Sequence, residues 1–285
     1  MIKRELQIFL IALSYFTRIP IPISIPISYD EDKASHILKY FPLIGILIAA
    51  SSYFIFYLFH SLIGVTVEIS IILSMIFSTV VTGALHEDGL ADSIDGFGGG
   101  YGDREKILMI MKDSRIGSFG ALSLIFSQLL KFYSLQAIVE SCYPITLPLL
   151  LLAMISAHGL SRLLVFIYVY NHTNCNNEKG KARASKSKAV TNNHHLSDFF
   201  IAALISIGVI GIGVGIGIAY INTNTTGMLT SLLLVLILVL TPLYFIIKKF
   251  IHKRLAGYTG DTLGAIQQIF ELTIYVIFSF MIVGC

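Results

Sequence analysis

Charge is what this sequence has least of. Only 13% of its 285 residues are Asp, Glu, Lys or Arg, where a soluble domain carries roughly 25%. So few charges cannot cover a globule's surface, which excludes an ordinary cytosolic enzyme and a disordered chain. The net charge of +3 is small and dispersed, which speaks against a nucleic-acid partner. Cys142, Cys175 and Cys285 stand far apart with no CxxC pair, so neither a disulfide framework nor a zinc site is indicated. Short segments of alternating polarity, the mark of a transmembrane barrel, are missing too.

What is present is hydrophobic length. Mean hydropathy is +0.79 and 55% of residues are hydrophobic. A spanning helix needs about 20 mostly apolar residues. Seven stretches meet that: about 37–59, 67–85, 117–139, 146–170, 199–221, 228–247 and 264–283. The sequence therefore predicts one all-α domain over 1–285, a polytopic transmembrane helical bundle. Lys3 and Arg4 precede a shorter apolar run, Leu6–Phe16. No A-x-A cleavage site follows, and the run predicts an attached interfacial or re-entrant helix within an N-terminal segment, 1–36. Pro20, Pro22 and Pro26 exclude a regular helix after it.

The loops differ in charge. Segments 60–66, 140–145 and 222–227 hold no Lys or Arg, whereas 1–36, 86–116, 171–198 and 248–263 hold 17 of the 20 basic residues. The positive-inside rule makes the second set cytoplasmic, with the N-terminus inside and the chain in the cytoplasmic (inner) membrane of the cell. The 171–198 loop is polar, basic and expected to be mobile; its His194 and His195 are expected in solvent.

Acidic residues are rare and clustered. Seven of 17 lie between Glu87 and Asp113. Asp88, Asp92 and Asp95 fall at i, i+4 and i+7, so a helix continuing from the second span would place them on one face, with Glu87 about 100° away and expected close enough to join them. Like charges so spaced repel, and a hard oxygen-preferring cation such as Mg²⁺ would relieve the repulsion. The alternative is a solvated helix end, although acids after a span stand at the unfavourable end of its dipole.

Next, five glycines in the seven residues Gly96–Gly102 predict positive-φ backbone and close approach to a ligand, with Gly98, Gly99 and Gly100 as phosphate-facing candidates; the alternative is a flexible turn. Lys112, Asp113 and Arg115 follow. A guanidinium grips phosphate bidentately, or else pairs with a neighbouring acid at the surface. Acids, glycines and bases together suggest metal-assisted phosphoryl transfer. A rival reading is a cation transporter using the acids as an ion ring, but transport sites usually lie at the bilayer midplane.

Within the spans, Arg162 and Glu271 lie at similar depth, and Lys131 lies deeper. Such charges usually face the bundle interior. Phosphate contact, acid pairing and snorkelling are open for Arg162, Glu271 is a candidate partner, and structural pairing is expected for Lys131. Gly208, Gly211, Gly213, Gly215 and Gly217 are read as helix packing. Asp261 opens the last span, either as an N-cap or as a ligand.

These motifs resemble the family of cobalamin 5′-phosphate synthases, or adenosylcobinamide-GDP ribazoletransferases. The resemblance rests on Gly83–Asp92, Asp95–Gly100 and Met111–Gly117, with Phe16–Pro22, Phe41–Gly45 and Gly257–Ala265 in the same order. Tyr258 departs from a frequent Gly-Gly. The resemblance implies transfer of an activated cobinamide from adenosylcobinamide-GDP to α-ribazole or α-ribazole 5′-phosphate with release of GMP. It implies Mg²⁺ held by Glu87, Asp88, Asp92 and Asp95, with Asp88, Asp92, Asp95, Lys112 and Arg115 in catalysis. Gly98, Gly99, Gly100, Asp113, Arg162 and Asp261 would bind substrate. Asp92-Ser93-Ile94-Asp95-Gly96 is also similar to the D-x-x-D-G opening of CDP-alcohol phosphotransferases, without the rest of that motif. Assembly as a homo-oligomer is compatible with the sequence.

Overall fold

Over their described residues the seven apolar stretches are helical in the computed structural model, the second broken by a turn; it describes residues 2–21, 31–141, 146–172, 174–175, 195–220 and 225–282. Pro22, Pro26, Cys142, Cys285, His194 and most of the predicted 171–198 loop lie outside the described residues. The chain runs α1 (Ile2–Phe16), α2 (Glu31–Ser35), a 3₁₀ turn (Ile37–Tyr40), α3 (Phe41–Tyr57) and a π turn (Leu58–Ile63). It continues through α4 (Val67–Thr82), α5 (Leu85–Gly99), α6 (Arg104–Ile110), α7 (Ser118–Ser141) and α8 (Thr146–Asn171). Helices α9 (Leu196–Tyr220), α10 (Thr225–Leu255) and α11 (Gly260–Ile282) complete it. Among the described residues no strand forms; Asn174 and Tyr258 make an isolated bridge.

Five helices are each long and apolar enough to cross a bilayer: Ile37–Ile63, Ser118–Ser141, Leu147–Asn171, Thr230–Leu255 and Gly260–Met281. This is a multi-pass membrane architecture. The second predicted span is the exception. α4 has 16 residues, about 24 Å at helical rise, and the chain then turns by 85° into α5. The expectation that the second span continues as one helix into the acids is thus corrected. Gly83 (φ 65°) and Ala84 (φ 56°) both adopt the left-handed region. Gly83 does so freely, whereas Ala84 is held there against its steric preference. The two helices form a sharply bent pair, a broken span or a re-entrant turn. Among the described residues five helices, or six with α4 and α5 taken as one span, have the length and composition to cross; the described apolar part of α9, Leu196–Gly208, is shorter than a span.

α8 packs against α3, α9 and α11 at the centre. Ile8, Ile11 and Ala12, at helical spacing, are fully buried, so α1 docks on the bundle. Buried Lys39 pairs with Glu5 at 2.7 Å and secures it. Arg18 N–H donates to Val81 O of α4 at 2.7 Å and ties the N-terminal segment to that helix. The segments predicted to share one face do meet. His36 pairs with Asp198, Arg104 donates to Cys175 O, and Cys175 N–H donates to Tyr258 O. Tyr258, the departure from Gly-Gly, is fully buried there.

Candidate active site

The left-handed break restarts the helix immediately before the acids. Glu87 and Asp88 therefore occupy the first turn of α5, the end where the helix dipole favours negative charge, and not the end of a spanning helix. Asp88, Asp92 and Asp95 share a face. A fourth carboxylate joins them from α11. Gly89 and Gly264 let the two helices touch backbone to backbone: a Cβ at Gly89 would lie 2.7 Å from Asp261 O, and one at Gly264 would lie 3.2 Å from His86 O. The start of α11 is held by Thr259 and Thr262, each accepting the other's N–H on its hydroxyl, at 2.9 and 3.2 Å. That reciprocal cap is made by the two threonines, so the reading of Asp261 as the N-cap is corrected. Asp261 stands instead in the first turn, facing the α5 acids.

Asp95 is nearly buried. Its oxygens accept from Gly117 N–H at 2.7 Å and Gly120 N–H at 2.8 Å, tying α5 to the start of α7. A Cβ at Gly117 or Gly120 would collide with the Asp95 carboxylate. Asp92 sits half-buried at the centre of the acids. Desolvation, then repulsion from Asp88, Asp261 and Asp95, raises its pKa to about 6. Among the described residues no ion pair joins Asp88, Asp92 or Asp261 to a base. Nor, among those residues, do three acidic, His or Cys side chains already close around an ion. Such an open, oxygen-only, mutually repelling set suits Mg²⁺, which binds through one or two carboxylates, water and substrate phosphates rather than in an all-protein cage.

Other predicted residues are placed differently. Glu87, one residue and 100° round from Asp88, leaves the acidic face. It is buried, its Oε2 has no hydrogen-bond partner among the described residues, and the charges around it are those of Lys131, Glu271 and Arg162. Arg162 is fully enclosed. Its Nη1 donates to His158 O at 3.0 Å and lies 3.7 Å from Glu271 Oε2, with the guanidinium 5.4 Å from the Phe41 ring centre. Lys131 pairs with Glu271 at 2.5 Å. Acid pairing thus prevails for Arg162, Glu271 is its partner, and Lys131 is structurally paired.

The glycine-rich stretch adopts positive φ at its end, at Tyr101 (φ 52°) and Gly102 (φ 86°), and not at Gly96–Gly100. Gly98 and Gly99 close α5, and Gly100 caps it at φ −82°. Their close approaches are internal: a Cβ at Gly98 would lie 2.7 Å from Phe119, and one at Gly99 3.0 Å from Ile110. Gly100 packs on Ile107. Arg115 makes a fork to Asp113, with Nη2–Oδ2 at 2.6 Å, while its side chain is 87% exposed. That fork holds the Asp113 carboxyl down at about 2. Lys112 is exposed and its charge acts on Asp261.

Two cavities adjoin α5. One of about 830 Å³ lies between α4 and α7, almost wholly apolar, with Glu87 among its lining residues. The other, about 380 Å³, has Asp88 and Asp261 in its wall. Phe16, Phe41 and His86 form a row of near-parallel rings beside it, with centroids 4.2 and 5.8 Å apart and 25° between planes in each pair. The sequence reading missed this ring wall and the glycine crossings. The three-residue spacing of Gly117 and Gly120 at a helix start was the available signal.

A statistical description of the family "Cobalamin-5-phosphate synthase" matches residues 8–279. A protein of Shewanella frigidimarina called adenosylcobinamide-GDP ribazoletransferase is 38% identical over 274 residues, covering 96% of this chain and 94% of its own. A Shewanella oneidensis protein of the same description is 38% identical over 283 residues, covering 99% and 96%. No solved structure matches.

Proposed function

The chain belongs to the cobalamin-5-phosphate synthase family, and from that premise we propose that it transfers the cobinamide phosphate of adenosylcobinamide-GDP to α-ribazole or its 5′-phosphate. The acceptor hydroxyl oxygen bonds to the phosphorus that carries the cobinamide. The bond from that phosphorus to the GMP oxygen breaks, and the hydroxyl proton passes to a carboxylate of the acidic face. The observation that carries this reading is the Gly89–Gly264 crossing, which sets Asp261 against Asp88 and Asp92 beside an aromatic-walled cavity.

Asp88, Asp92 and Asp261 are the residues to hold Mg²⁺, which when bound supplies charge neutralisation on the diphosphate. Asp95 positions the start of α7 through its two backbone contacts. Lys112 steadies the phosphates, and Arg115 turns from Asp113 to the diphosphate when substrate arrives. The basic-residue asymmetry supports a site on the cytoplasmic face of the cell membrane. The test is release of GMP when the purified chain meets adenosylcobinamide-GDP, α-ribazole and Mg²⁺. No GMP above a protein-free control would refute the reading.

A further inference from the structure

We propose that the 380 Å³ cavity between α1, α3, α5, α8 and α11 receives the aromatic base of the acceptor nucleoside, its sugar directed to Asp88 and Asp261. This rests on the reaction proposed above and says where one of its two substrates sits. Three observations carry it. The volume lies at the lower end of small-molecule sites, which run from about 300 to 1,000 Å³. It suits a nucleoside and excludes a corrinoid macrocycle. The wall is mainly apolar: Leu38, Val165 and Val169 line it together with the rings of Phe16 and Phe41, and Asn174 and Tyr258 are polar members of the same wall. The two carboxylates at Asp88 and Asp261 are confined to the side of the acidic face. A sugar hydroxyl entering there meets the reacting centre.

The chemistry of the wall separates the two bases in the reaction. Guanine carries donors and acceptors along its edges, and burying them unmatched costs free energy. A dimethylated benzimidazole has two ring nitrogens, one of them bonded to the ribose, and otherwise offers apolar edges and a flat face. Near-parallel Phe16, Phe41 and His86 present rings of matching character. The cavity thus selects the acceptor base and leaves the guanosine of the donor outside it.

The test measures α-ribazole binding by equilibrium dialysis with the purified full chain, alongside the KM for adenosylcobinamide-GDP. Val169→Phe fills the cavity from α8. Leu85→Trp narrows it from a position 44% exposed in the protein, and so keeps the test alive if the first variant misfolds. Each is expected to weaken α-ribazole at least tenfold while the donor KM stays within twofold. Removing both methyl groups from the base is expected to weaken binding to the wild type by about tenfold or more, the scale of a lost methyl contact in an apolar pocket. GMP should not compete with α-ribazole for the wild type. Unchanged α-ribazole binding in a folded variant, or a rise in donor KM instead, overturns the placement while GMP release by the wild type keeps the reaction standing. Absence of GMP release removes the reaction, and the placement with it.

Discussion

Asp92→Asn should stabilise the metal-free protein while abolishing its turnover. Desolvation and three neighbouring carboxylates lift Asp92 from 3.8 to about 6. Taken at face value the rise corresponds to roughly 3 kcal/mol. Asp92 is only half-buried, so solvent screening reduces that to about 1 kcal/mol. The sign follows from linkage: a carboxyl whose folded pKa is raised destabilises the fold when charged. The penalty is absent well below pH 4, grows between pH 4 and 6, and is complete above about pH 7. Asparagine keeps the shape and removes the charge. At pH 7.5 with chelator, its melting temperature in detergent should exceed wild type by about 3 °C, and at pH 5 by about half as much. Magnesium should reverse the order, since saturation at a hundredfold over Kd adds about 2.7 kcal/mol to a protein that binds it. Scanning calorimetry of both proteins, in chelator at each pH and with Mg²⁺, measures these values. An asparagine variant no more stable than wild type in chelator, or stabilised equally by Mg²⁺, would refute the view of Asp92 as the centre of a repelling, cation-seeking set.

Four further outcomes are expected. Arg115→Lys should lower kcat at least tenfold, with melting temperature unchanged; a solvent-screened surface pair alone would leave kcat near wild type. Gly120→Ala drives a methyl into the Asp95 carboxylate and should cost about 2 kcal/mol of stability by overpacking, read as a lower melting temperature; an unshifted transition would show that α5 and α7 separate freely. Glu271→Gln leaves Lys131 and Arg162 buried without their acid and should cost about 3–5 kcal/mol, seen as loss of folded protein on size exclusion; a stable variant would mean that the charges are not enclosed. In a cysteine-free background, Asp103→Cys should resist impermeant thiol reagent in intact cells and Asn224→Cys should react, and the opposite pattern would invert the proposed orientation.

The bundle was legible because hydrophobic length is a local property: each apolar stretch carries its own backbone hydrogen bonds in lipid. The elbow after α4 was not. Thr82-Gly83-Ala84-Leu85 contains one residue at ease in the left-handed region and one that is not, and an alanine beside a glycine ordinarily reads as helix. That hidden break also reversed the dipole argument for the acids. The shared face of Asp88, Asp92 and Asp95 was readable from spacing. Its fourth member was not placed by spacing, since Asp261 arrives only through the tertiary contact of Gly89 with α11. Glycine announces close approach without saying to what, and so Gly98, Gly99 and Gly100, expected against a ligand, pack against Phe119, Ile110 and Ile107. Glu87 shows the limit of helical geometry alone, since an offset of 100° sufficed to turn it from the acids to Arg162 and Lys131.

The buried ion set has a consequence for how the protein is made. Lys131 and Glu271, joined in the finished molecule, are separated by 140 positions in the chain. During synthesis α7 enters the membrane long before α11 leaves the ribosome. A lysine near the middle of a lone helix costs about 2.5–3.5 kcal/mol on insertion. Until Glu271 is made, α7 therefore carries its lysine without the acid that pairs with it in the finished fold. The last helix brings the one carboxylate that Lys131 and Arg162 share. A chain that stops before α11 would leave both bases without it.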